Sequence, residues 1–242
     1  MSQRFFVEPP IVCDRATLRD TEAHHLLHVM RAKRGDEVVL FDGTGCEFRA
    51  RVESLARATV ELAVLERSEV NRELPFALTL GVALPKGDRQ KWLVEKMVEV
   101  GVNRLVPLHT ERGVAQPVEQ ALERLRKSVI EAAKQCGRNR LMEIAAPQSW
   151  IDYLSAAPAD SRRYVAHPGG EPGIGLLSLS TEQSVMAASD AWLAIGPEGG
   201  LTDEEIDLAR RAGWQPIDLG PRILRVETAA LALAAHIALQ QS

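Results

Sequence analysis

Ile195-Gly196-Pro197-Glu198-Gly199-Gly200 follows an apolar run, Ala191–Ile195, and precedes Leu201-Thr202-Asp203-Glu204-Glu205. An apolar run stopped by Gly-Pro reads as a strand ending at a loop, and Thr202 three residues ahead of Glu205 fits a capping box that opens a helix. Glycines let backbone N–H groups approach a ligand with no Cβ in the way, and a loop at the carboxyl end of a strand in an α/β sheet is the usual seat of a nucleotide-sized ligand. Gly-Pro and Gly-Gly are also ordinary turn punctuation, so this loop alone leaves a purely structural role open. A second stretch, Leu219-Gly220-Pro221-Arg222-Ile223-Leu224-Arg225-Val226-Glu227, repeats the arrangement after the short apolar segment Gln215–Leu219. Two such loops from nearby strands can line one crevice.

Working outward, Phe76–Leu84 is a nearly continuous apolar run, as a strand buried on both faces of a parallel sheet requires. Pro85-Lys86-Gly87-Asp88 ends it and starts a helix whose buried face is expected to hold Trp92, Leu93, Met97 and Val100, with Gly101 closing it. Arg104–Leu108 reads as the next strand, and apolar residues recur at helical spacing over 117–136 before Gly137. Then come a strand at Tyr164-Val165-Ala166, the glycine-rich His167-Pro168-Gly169-Gly170, and a loosely patterned segment to about Ser189. The last helix, Val226 to Gln240, is apolar almost all round, which requires burial in a core or against another subunit. Strands alternating with helices predict βαβ units and a parallel α/β sheet. By pattern alone this is a doubly wound nucleotide-binding sheet, although no Gly-x-Gly-x-x-Gly follows a strand.

Residues 1–70 read differently, as a small β-rich domain. Arg4–Val7, Glu37–Phe41, Cys46–Leu55 and Ala58–Leu65 are candidate strands around one helix, capped by Asp20 or Thr21, with Leu26, Leu27 and Met30 on its apolar face. A single helix among short strands suggests a small barrel. His24 and His28 stand four apart on that helix, but no third metal ligand is apparent, and surface or half-buried histidines are the expectation. Polar, proline-ended residues 67–75 mark a boundary, giving a domain over 1–70, a linker at 71–75 and a second domain over 76–242.

The 242 residues, 45% hydrophobic and 26% charged, suffice for one large or two small domains with a proper core. No run of eighteen apolar residues occurs, and the N-terminal stretch is too short and too soon interrupted for a signal peptide, so a cytoplasmic protein is expected. Cys13, Cys46 and Cys136 are far apart and odd in number, which suggests reduced thiols. A net charge of −4 argues against indiscriminate coating of nucleic acid but leaves room for local basic contacts. The candidates for RNA contact are Arg4, Arg31, Lys33, Arg34, Lys86, Arg89, Arg112, Arg138 and Arg140.

Lys86-Gly87-Asp88-Arg89, Lys91-Trp92-Leu93-Val94-Glu95-Lys96, Glu99-Val100-Gly101-Val102, Glu111-Arg112 and Glu131-Ala132-Ala133-Lys134-Gln135-Cys136-Gly137-Arg138 join the two glycine loops in a resemblance. Together they resemble the ribosomal RNA small subunit methyltransferase E family of the knotted SPOUT methyltransferases. The resemblance covers nearly the whole chain, most strongly from residue 76. Val226, where the family pattern suggests threonine, and Cys136, where serine is common, depart from it without removing a charge.

The resemblance implies a PUA-like N-terminal barrel, a C-terminal trefoil knot, a homodimer, no metal, and S-adenosyl-L-methionine as methyl donor. The implied reaction is methylation of N3 of a uridine in 16S ribosomal RNA near the decoding region. The knot loops carried over are His167–Gly170, Ile195–Gly200 and Leu219–Arg225. The cofactor residues they imply are His167, Pro168, Ile195, Gly196, Pro197, Gly199, Gly200, Leu219, Gly220, Ile223, Leu224 and Arg225. Arg225 is the expected catalytic cation for the uracil, and Glu198 is expected to face the sulfonium or position the target. For each, a salt bridge holding the loops together is the competing role. A ribose 2′-O-methyltransferase of the same fold acting on transfer RNA and a non-enzymatic RNA-binding adaptor are the rival readings.

Overall fold

The structure, a computed structural model, describes residues 4–114, 118–172 and 190–239. Its contacts divide the chain into two units, Met1–Glu73 with Ala133–Leu141, and Leu74–Ala132 with Met142–Ser242.

In the first unit β1 (Arg4–Phe6), β2 (Arg15–Arg19), β3 (Glu37–Phe41), β4 (Cys46–Leu55) and β5 (Thr59–Glu69) form a sheet in the order β1-β3-β4-β5-β2. The pairings are antiparallel except β1 with β3. Alternation drives the packing: Cys46, Phe48, Ala50 and Val52 of β4 are buried while Arg49 and Arg51 between them are exposed. Phe5, Leu18, Leu26, Leu40 and Leu62 join the same core. β2 was not anticipated, because its five residues carry arginine at both ends and only Ala16 and Leu18 turn inward. Helix α1 (Asp20–His24) runs directly into a π-helical turn, His25–Val29. The expected cap is absent: Arg19 occupies the capping position with no side-chain hydrogen bond, and Asp20 sits at φ 47°.

The segment Ala133–Leu141 is tied into this unit by charge and amide contacts that hydrophobic pattern does not reveal. Arg138, 3% exposed, pairs with Glu73. The Asn139 amide donates to Glu47 (3.2 Å) and to the Val70 carbonyl (3.0 Å), and its oxygen accepts from Arg4 (2.6 Å). Burial opposes ionisation of Glu47, but hydrogen bonds from Arg72 and Asn139 and the nearby Arg4 charge outweigh it and hold its pKa below the ordinary carboxylate value.

The second unit carries a parallel sheet with strand order β12-β10-β11-β6-β7-β8, and β9 pairs with β7. Its strands are β6 (Leu78–Val82), β7 (Arg104–His109), β8 (Glu143–Ile144), β9 (Gln148–Ser149), β10 (Arg162–Pro172), β11 (Ala191–Ile195) and β12 (Gln215–Asp218). The helices are α2 (Arg89–Glu99), α3 (Glu119–Cys136), α4 (Trp150–Ala156), α5 (Asp203–Arg211) and α6 (Val226–Leu239). The parallel sheet and the long and C-terminal helices match expectation. Residues 117, 240 and the loosely patterned 173–189 lie outside the described residues. On α2 the buried residues are Leu93, Val94, Met97 and Val98, whereas Trp92, expected inside, is 40% exposed.

Register explains the packing of α4. Val106, Gly81, Ala194 and Val165 are direct cross-strand neighbours on β7, β6, β11 and β10, and their shared face receives the Tyr153 ring from α4. Small residues in the middle of the row make the room. Tyr153 is fully buried, donates to the Leu193 carbonyl at 2.8 Å, and lies against Trp192 and Trp214. Burial pushes its phenol far above the ordinary tyrosine range, so it remains a neutral donor. A Cβ on Gly81 would stand 2.5 Å from the ring.

Two outcomes follow from these contacts. Gly81→Ala is expected to destabilise by about 1–3 kcal/mol through overpacking, and Tyr153→Phe by about 1 kcal/mol through loss of one buried hydrogen bond. A wild-type melting temperature for Gly81→Ala would contradict the packing. Because the Glu47 pKa is depressed in the folded state, its contribution is present above the ordinary value of 4.5 and lost as pH falls through the folded value. The difference in urea midpoint between wild type and Glu47→Gln is therefore expected to shrink between about pH 6 and pH 3, and a gap that widens on acidification would refute it.

Candidate functional site

In a parallel sheet neighbouring strands end on the same edge, so the carboxyl ends of β11 and β12 emerge beside the distal half of β10. The glycine-rich residues expected as a loop at 167–170 instead lie within β10, in an irregularity where its register against β12 shifts between Ala166 and Glu171. Asp218, the last residue of β12, holds two of the segments together. Its Oδ1 accepts from the Gly220 N–H (2.8 Å) and its Oδ2 from the Gly169 N–H (3.3 Å). Gly220 has φ +107°, a backbone state that disfavours side chains, and nothing lies within 4 Å of where its Cβ would stand.

These segments surround a cleft of about 240 Å³. Of the residues expected at the cofactor, His167, Pro168, Ile195, Gly196, Pro197, Gly200, Leu219, Gly220, Ile223 and Leu224 line it, and so does Glu198. Gly199 and Arg225 do not. Ala166, Leu201, Asp218, Arg222, Val226 and Ala229 also line it without having been singled out. Arg222 and Asp218 stood within or beside the quoted loop, whereas Ala229 reaches the cleft only because α6 begins at Val226 and brings its first turn round.

The wall is mainly apolar, with a few polar groups converging on it, which is the general character of a small-molecule site. Ile223 is 97% exposed although it lines the cleft. Burial lowers the pKa of His167 and Arg210 adds to the effect, while Asp203 and Asp218 act against it; the imidazole is held neutral near pH 7.

The loop after β11 is clamped from outside. The Gly200 N–H closes a turn on the Pro197 carbonyl (2.9 Å), and Arg112 donates to the Gly199 carbonyl (3.1 Å). Glu198, exposed at the rim, accepts from Arg89 at 3.0 Å. The capping box on α5 forms as expected: Glu205 accepts from the Thr202 N–H (2.9 Å) and Thr202 Oγ1 accepts from the Glu205 N–H (3.2 Å). The other oxygen of buried Glu205 accepts from the Glu111 N–H (2.9 Å), which fastens the loop after β7 to the start of α5.

Arg225 is exposed at the foot of α6, between the lining residues Leu224 and Val226, and its carbonyl accepts from the Ala229 N–H. Among the described residues no ion pair or side-chain hydrogen bond engages its guanidinium. Of the candidate RNA contacts, Arg31, Lys33, Arg34, Lys86, Arg112 and Arg140 are exposed. Arg138 is buried and the Arg4 side chain is 8% exposed, both held in the first unit among Glu47, Asn139 and Glu73, so these two cations serve its packing. The His24 and His28 rings lie 4.7 Å apart, and among the described residues no group of three or more His, Cys, Asp or Glu is arranged to hold a metal. No described helix is long and apolar enough to cross a membrane.

Comparison with known proteins supplies the family. Residues 72–238 match the family described as RNA methyltransferase domain, and residues 18–65 match the RNA methyltransferase PUA domain. The ribosomal RNA small subunit methyltransferase E of Synechocystis is 37% identical over 240 residues, covering 98% of this chain and 77% of that protein. A methyltransferase of Legionella pneumophila, solved with the cofactor SAM, superposes with a TM-score of 0.86 at 29% identity over 98% of this chain and 97% of that one. The ribosomal RNA small subunit methyltransferase E of Neisseria gonorrhoeae, bound to S-adenosyl methionine, gives a TM-score of 0.83 at 29% identity over 97% and 96% of the two chains. Both domains are matched in order and the similarity runs almost end to end: the chain belongs to the ribosomal RNA small subunit methyltransferase E family.

Proposed function

We propose that the protein transfers a methyl group from S-adenosylmethionine to N3 of a uridine in 16S ribosomal RNA. The observation that carries this reading is the glycine-walled cleft at the ends of β11 and β12 and the irregular half of β10, in a member of an RNA methyltransferase family. The residues present fit the cofactor. Ile195, Leu201, Leu224, Val226 and Ala229 offer apolar surface to the base, and the open space above Gly220 leaves backbone accessible. Neutral His167 and the carboxylates of Glu198 and Asp218 suit a ligand carrying positive charge. When bound, the cofactor supplies an electrophilic methyl group on a positively charged sulfur.

The chain's own residues must then present the base and manage charge. Uracil N3 carries a proton that has to leave before its lone pair attacks, and the resulting negative charge spreads over O2 and O4. A guanidinium beside either oxygen stabilises the developing charge, and Arg225, exposed and unengaged among the described residues beside the cleft, is the residue proposed for it. Holding nucleophile, methyl and sulfur in line supplies much of the remaining acceleration and calls for no metal. The exposed turn Arg31–Arg34 is proposed to contact RNA backbone. The implied trefoil knot, formed by the loops that bound the cleft, and the homodimer belong to the same proposal; Ala232 and Leu239 expose apolar surface on α6 that a second copy packing there would cover. The modified nucleoside separates this reading from 2′-O-methylation, and calorimetry with S-adenosylmethionine separates it from an adaptor.

Arg225→Ala is expected to keep the melting temperature and most cofactor affinity while lowering single-turnover methylation on the order of a hundredfold, as loss of one transition-state donor does. Arg225→Lys should recover part of it. Near-wild-type turnover in well-folded Arg225→Ala would leave Arg225 a surface residue. Replacing Arg31, Lys33 and Arg34 with alanine is expected to weaken RNA binding and reduce the slope of log affinity against log salt by about two to three, with cofactor affinity unchanged. An unaltered slope would remove this turn from the RNA interface.

A further inference from the structure

Arg89 stands at the start of α2 and reaches a carboxylate from each of the two glycine-loop segments. One guanidinium nitrogen donates to Glu198 at 3.0 Å on the loop after β11, and the other lies 3.7 Å from Glu227 in the first turn of α6. The two acids are unlike. Glu198 is exposed, whereas Glu227 is only 7% exposed and its Oε2 has no hydrogen-bond partner among the described residues. A buried carboxylate short of partners makes removal of a cation beside it costly, whereas an exposed pair holds weakly by itself. Glu227 is therefore the anchor and Glu198 the group being held. With a carboxylate on each side, the charge of this guanidinium is already compensated, which leaves it poorly placed to receive a phosphate.

We infer that Arg89 is a positioning residue for methyl transfer: fixed by Glu227, it holds Glu198 and the turn behind it in place, and it does not serve as a contact to RNA backbone. The inference rests on the reading of Glu198 given above. A planar fork with two separate edges meets both acids at once, which the single ammonium of lysine does not.

Two measurements on the whole chain test it. In the unliganded protein the Gly200 amide, bonded to the Pro197 carbonyl, is expected to exchange with solvent on the order of tenfold faster in Arg89→Ala, with Arg89→Lys between. Unchanged exchange overturns the proposal. In single-turnover methylation Arg89→Ala is expected to lose about tenfold in rate, to keep RNA affinity and its salt slope, and to add little further loss to Glu198→Ala in the double variant. Weakened RNA binding with a shallower salt slope, or losses that multiply in the double variant, overturns it in favour of a phosphate contact. If Glu198→Ala turns over like wild type while Gly200 exchange still responds to Arg89→Ala, the role of Glu198 falls and the positioning of the loop stands.

Discussion

Parallel pairing of β11 with β6 on one side and β10 on the other is the constraint on which the second unit depends. Parallel neighbours cannot be joined by a hairpin, so each strand needs a crossover, and every strand of the sheet ends on the same edge. β11 is buried at every position but the half-buried Trp192, which forces apolar residues throughout Ala191–Ile195 and leaves polar chemistry to the loops beyond its end. The row through Gly81 and Ala194 shows how tightly this is set: a tyrosine ring occupies the space a Cβ on Gly81 would need. The cleft is a consequence of that geometry, because the ends of β11 and β12 and the irregular half of β10 meet where the strands run out.

Charged residues divide into those that hold the scaffold and those left free to act. Asp218 spends both oxygens on backbone N–H groups of two segments, and Glu205 ties the start of α5 to the loop after β7. Arg4 and Arg138 are similarly consumed inside the first unit. Arg225 and the Arg31–Arg34 turn remain in solvent. An arginine in a sequence carries no sign of which group it belongs to; its distance from a carboxylate and its burial decide.

The sequence by itself determined most of the scheme: a β-rich first part, a parallel α/β second part, the two glycine loops that wall the cleft, and the capping box at Thr202 and Glu205. These are written in local pattern, because alternation, helical spacing and Gly-Pro punctuation act within a few residues. Only the tertiary structure decided what depends on distant partners. It put His167–Gly170 inside an irregular strand, since the register of β10 is set by β12 some fifty residues on. It exposed Trp92, buried Glu227 beneath Arg89, and returned Ala133–Leu141 to the first unit through Arg138 and Asn139. Ion pairs and amide bridges of this kind have no periodicity, so their partners become known only when the chain has folded them together.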